Sequence, residues 1–99
     1  MESLEGYRKS IDNIDNAIVA MFAERFKITN KIGQNKAEQG LPAKDETREA
    51  SQFERVAGLA ESYGLDPKFA KDLLKTVIDQ VVQNHIEISR LQSAKRPDK

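Results

Sequence analysis

From Leu4 onward, apolar side chains return at alternating steps of three and four, as Leu4, Tyr7, Ile11, Ile14, Ile18 and Met21, then Ile28 and Ile32, and no proline interrupts the pattern before Pro42. This is the period of an α-helix with one apolar stripe. It predicts a single helix from about Ser3 to about Gln39, roughly 50 Å long at 1.5 Å per residue. A compact domain of about 100 residues has a radius of gyration near 13 Å, so such a helix projects beyond any core that its own chain can build. With 99 residues, 38 % of them apolar, the chain is one domain with a thin core. The far end of the first helix therefore needs a partner subunit.

The segment Gly40-Leu41-Pro42-Ala43 punctuates the pattern, because glycine ends helices and proline biases the preceding residue away from helix. A second, shorter helix is expected to begin near Lys44 or Asp45, to bury Phe53, Val56, Ala57, Ala60 and Tyr63, and to stop at Gly64. Asp66 is then placed to cap a third helix whose first turn holds Pro67, where a missing N–H costs nothing. Phe69, Leu73, Val77, Val81, Ile88 and Leu91 form its expected stripe. The fold class is all-α with three helices, a helical domain over residues 1–92. Residues 93–99 have no apolar period and are expected to form a flexible tail.

Sixteen basic and sixteen acidic residues cancel, so no long-range field recruits nucleic acid or an anionic membrane, and any anion site must be local. Leu59 to Asp66 has the outline of a helix-turn-helix corner, but the helix that would read DNA carries Asp66, Asp72 and Asp79. Without cysteine and with a single histidine, the chain has neither a disulfide framework nor thiolate chemistry, and a structural zinc site is improbable. The first residues lack the pattern of an export signal, and no stretch approaches a membrane-spanning length. A soluble, cytoplasmic protein is expected.

Several polar residues fall where the stripes are apolar. Between Met21 and Ile28 the first stripe passes through Arg25, and after Ile32 it arrives at Lys36. Unpaired buried charge is costly, so these cations must reach water, meet carboxylates such as Glu49, or meet a bound anion. Stepping back from Phe53 gives Glu49 and Asp45, with Arg48 alongside; acids in a first helical turn also complement the helix dipole. On the third helix the steps Val77, Val81, His85, Ile88 place the histidine on the apolar stripe, as a core residue or a functional one. Arg8 borders the first stripe, 17 positions before Arg25, or about 25 Å along a straight helix. If both arginines serve one small ligand, Arg8 must come from a second subunit.

Arg8, Ile14-Asp15, Glu24-Arg25, Gly33 and Lys36, followed by Asp45, Arg48 and Glu49, resemble in order and spacing the pattern of the all-α chorismate mutases, over about Leu4 to Leu91. The resemblance implies an intertwined homodimer that rearranges chorismate, a dianion, to prephenate in phenylalanine and tyrosine biosynthesis, with no metal or cofactor. It implies that Arg25 and the partner's Arg8 bind the substrate carboxylates, and that Lys36 reaches a carboxylate and the ether oxygen. Glu49 would hold the ring hydroxyl, with Asp45 and Arg48 shaping the wall. Val81 falls where the family often has a serine, and His85 where a glutamine or glutamate meets the ether oxygen. Lys36, His85 and Arg25 are the expected catalytic set. Two alternatives are an isochorismate pyruvate-lyase of the same fold and a catalytically silent helical module.

Overall fold

The computed structural model describes residues 3–95, which form three helices: α1 Leu4–Glu38, α2 Glu46–Ser62 and α3 Pro67–Lys95. Each boundary has a local cause. Ser3 caps α1, its Oγ accepting from the Gly6 N–H at 3.0 Å, and Asp45 caps α2, its Oδ1 accepting from the Arg48 N–H at 3.0 Å. Asp66 Oδ1 accepts from the Lys68 N–H at 2.9 Å at the start of α3, next to Pro67. α1 and α2 both end on a glycine with positive φ, Gly40 at 68° and Gly64 at 72°. Beyond each, the chain turns back on the helix: the Leu41 N–H donates to the Lys36 carbonyl and the Leu65 N–H to the Ala60 carbonyl, each at 2.8 Å. This left-handed cap satisfies carbonyls that a helix end would otherwise orphan.

The helices are arranged around α3, which packs against both α1 and α2, while α1 and α2 do not pack on each other. The buried core follows from that arrangement and consists mainly of small or aliphatic side chains: Ala37 from α1, Ala60 from α2, and Ala70, Leu74, Val77 and Ile78 from α3. The molecule measures 71 × 27 × 15 Å with a radius of gyration of 18.0 Å, against about 13 Å for a compact chain of this length. Its least dimension is little more than one helix diameter, too thin to bury both faces of anything. The α1 stripe accordingly stays open, from 46 % exposed at Ile18 to 71 % at Met21. Among the described residues, no helix is long and apolar enough to cross a membrane.

Three sequence expectations are corrected. Tyr63 is 84 % exposed rather than buried, and it is the C-terminal cap residue of α2, where the helix ends. On α3 the buried face is Ala70, Leu74, Val77, Ile78 and His85, while Phe69, Leu73 and Leu91 are exposed. A helix that packs against two neighbours buries a broader arc than one stripe, and the small Ala70 sits deeper than the bulky Phe69 beside it. Finally, Ser93, Ala94 and Lys95, expected in a tail, continue α3; residues 96–99 of that tail lie outside the described residues.

Candidate active site

Because α1 and α2 are held apart by α3, a slot opens between them, and it forms a cavity of about 280 Å³, near the lower end of small-molecule sites. α1 contributes Arg25, Thr29 and Lys36, spaced so that all face one side of the helix. α2 contributes Asp45, Arg48, Glu49 and Gln52, and α3 forms the floor with Ile78, Val81, Val82 and His85. The structure thus brings together seven of the sequence-predicted site residues: Arg25, Lys36, Asp45, Arg48, Glu49, Val81 and His85. Arg8 is not among them, and it lies exposed near the start of α1.

The cations of this cavity have no internal partners. Among the described residues, Arg25, Lys36 and Arg48 take part in no ion pair. Nη1 of Arg25 is buried without a hydrogen-bond acceptor, an arrangement that is costly unless an anion arrives. The alternative in which Glu49 neutralises Arg25 or Lys36 does not hold. Both carboxylate oxygens of Glu49 accept from Lys44 Nζ, at 2.9 and 3.1 Å, and this hydrogen bond together with the charge of Glu49 raises the pKa of Lys44. Asp45 is engaged with the Arg48 backbone N–H as the cap of α2.

His85 is only 4 % exposed and spans the α1–α3 contact. Its Nε2 lies 2.7 Å from the Thr29 carbonyl oxygen; a carbonyl only accepts, so Nε2 carries the hydrogen. Nδ1, on the other side of the ring, is buried without a partner. The close approach depends on Gly33, where a Cβ would stand 2.6 Å from His85 Cδ2 and 3.1 Å from Nε2. A helix that presented any larger residue there would hold the ring away from Thr29.

Sequence reasoning missed Lys44, which holds Glu49, and Gln52, which lines the cavity. The signal for Gln52 was available: carrying Asp45 and Glu49 forward by one more step of three reaches it. Nothing in the sequence marks Lys44 or the Thr29 carbonyl, since a rim lysine and a backbone oxygen leave no pattern.

A slot between helices, lined by unpaired cations and floored by three aliphatic side chains and an imidazole, is the kind of site a helical protein would offer to a small anion. Residues 7–86 match the family described as chorismate mutase type II, and the chain belongs to that family of isomerases of aromatic amino-acid biosynthesis. It is 29 % identical over 79 residues to the chorismate mutase of Methanocaldococcus jannaschii, covering 80 % of each chain. It is also 32 % identical over 80 residues to a bifunctional chorismate mutase/prephenate dehydratase of Buchnera aphidicola subsp. Acyrthosiphon pisum, covering 81 % of this chain and 21 % of that protein. A bifunctional protein of the same description from Aquifex aeolicus is 40 % identical over 65 residues, 65 % of this chain and 18 % of the relative. The chain thus spans four fifths of the first relative and about a fifth of the two bifunctional ones.

Proposed function

We propose that chorismate is rearranged to prephenate in the cavity between α1 and α2. The observation that carries this reading is the buried, unpartnered guanidinium nitrogen of Arg25 in a cavity whose acids are engaged elsewhere. The reaction breaks a carbon–oxygen bond as a carbon–carbon bond forms within one molecule. It requires a dianion held in a compact conformer and donors directed at the ether oxygen as negative charge develops there. Arg25 binds a carboxylate through its planar fork, and Lys36 provides a compact charge for a carboxylate and the ether oxygen. Glu49 accepts from the ring hydroxyl, Asp45 and Arg48 shape the wall, Val81 packs, and His85 supplies a further donor through Nδ1 when both ring nitrogens carry hydrogens.

The second carboxylate is bound by Arg8 of a second copy. The open apolar stripe of α1, together with the roughly 25 Å that separate Arg8 from Arg25 in one chain, supports an interlocked homodimer. Incubation with chorismate and, separately, with isochorismate tests the activity. Prephenate from chorismate is the expected product; salicylate and pyruvate from isochorismate would replace this reading with the lyase, and no turnover of either would indicate a silent module.

A further inference from the structure

Asp45, Arg48, Glu49 and Gln52 all line the cavity, and their steps of three and four make one continuous row along α2. Three of the four are charged; the fourth is an amide. Gln52 is half-buried, and its side chain has no hydrogen-bond partner among the described residues. The α3 surface that lines the same cavity consists of Ile78, Val81, Val82 and His85; the first three can neither donate nor accept, and the Nε2 hydrogen of His85 is taken up by the Thr29 carbonyl. Gln52 is therefore a polar group with unengaged donors one helical turn beyond Glu49 on the same face, where neighbouring Cβ atoms are about 5 to 6 Å apart.

An amide in that position has a physical consequence. If the cavity held only an apolar ligand surface there, a half-buried amide would lose water without compensation, whereas an aliphatic residue would gain by burial. A substrate with two carboxylates offers acceptors in excess of what two arginines and a lysine satisfy, since each carboxylate has about four lone-pair sites. We infer that Gln52 is a substrate-binding residue, and that its side-chain N–H donates to a carboxylate oxygen of the bound dianion while Glu49, one turn back, accepts from the hydroxyl. The two side chains then read opposite hydrogen-bonding groups of one ligand and fix its orientation along α2. This inference rests on the reading of the cavity as the chorismate site.

Steady-state kinetics on wild type, Gln52→Leu, Gln52→Glu and Arg25→Ala at pH 5 to 8 test it, each variant normalised to wild type at the same pH. Gln52→Leu conserves volume and adds apolar surface, so it should keep the fold, with KM raised roughly tenfold or more and kcat changed little, the scale and signature of a lost hydrogen bond to a charged group. Gln52→Glu has the same shape but places a carboxylate against a carboxylate. Its KM should rise further at pH 8 and recover towards pH 5, where the protonated acid regains a donor. A merely structural glutamine would give neither the split between KM and kcat nor that pH recovery. With wild type active and Arg25→Ala inactive, a Gln52→Leu enzyme with unchanged KM, or a Gln52→Glu enzyme with no pH-dependent defect, overturns the role of Gln52 alone. Wild type without chorismate turnover overturns the cavity reading, and this inference with it.

Discussion

The imidazole of His85 on α3 and the backbone carbonyl of Thr29 on α1 meet at 2.7 Å, 56 positions apart in the chain. That contact commits one ring hydrogen to holding two helices together. A neutral imidazole has only one N–H, so in the neutral form Nδ1, which is buried and unpartnered, can only accept. Imidazolium alone offers a second donor.

Substitutions at His85 test what the ring contributes beyond this joint. His85→Gln should retain substantial activity, because an amide NH2 has two hydrogens to donate. His85→Ala should lose about 10²-fold, the scale of one well-placed donor. An alanine variant that is folded and fully active would remove His85 from the chemistry.

Gly33→Ala is expected to damage the same joint from the other side. Its methyl would sit 2.6 Å from the imidazole Cδ2 and 3.1 Å from Ile88 Cδ1. Overpacking costs about 1–3 kcal/mol, and the helix preference of alanine over glycine returns about 1 kcal/mol. Urea unfolding at fixed protein concentration should show a net loss of roughly 1 kcal/mol, together with reduced activity. A variant more stable than wild type would mean that the ring moves aside at no cost.

Arg25→Ala and Lys36→Ala should each abolish most activity while helicity stays intact or improves, because an unpaired cation is relieved. Arg8→Ala should be inactive although its cavity is unaltered. Mixing Arg8→Ala and Arg25→Ala chains should restore part of the activity, since one site of the mixed dimer keeps both arginines. No recovery after proven subunit exchange would refute the shared site. Sedimentation should give twice the chain mass, with unfolding that depends on concentration.

Lys44→Ala should raise KM modestly and leave the helices unchanged, because it releases the Glu49 carboxylate from its two contacts at 2.9 and 3.1 Å. The hydrogen bond to Glu49 raises the pKa of Lys44 above the ordinary 10.5. The pair therefore contributes fully below that ordinary value and is lost as pH climbs through the raised one. Wild type should accordingly converge on the variant only in strong alkali; KM values that already agree at neutral pH would show that Glu49 is held by other means.

Helix boundaries were legible where they are written in local chemistry: Asp66 as a cap, Gly40 and Gly64 as helix ends; the capping role of Asp45 emerged only from its bond to the Arg48 N–H. The cavity was legible as misplaced polarity, since Arg25, Lys36, Glu49 and His85 interrupt apolar rows. The buried arc of α3 was misjudged because a single stripe through Phe69 and Leu73 assumes one neighbour, and α3 has two. The His85–Thr29 bond and the Lys44–Glu49 pair were invisible for a different reason. One ends on a backbone atom, and the other on a loop residue that belongs to no periodic row.

Since α1 and α2 do not pack on each other, the side chains of α3 form the floor between them. Ile78 and Val82 lie there, and a methylene added or removed at either would change the room above the floor while leaving every charged group in place. A descendant of this protein could thus alter the room at the floor without rewriting the charged residues of α1 and α2.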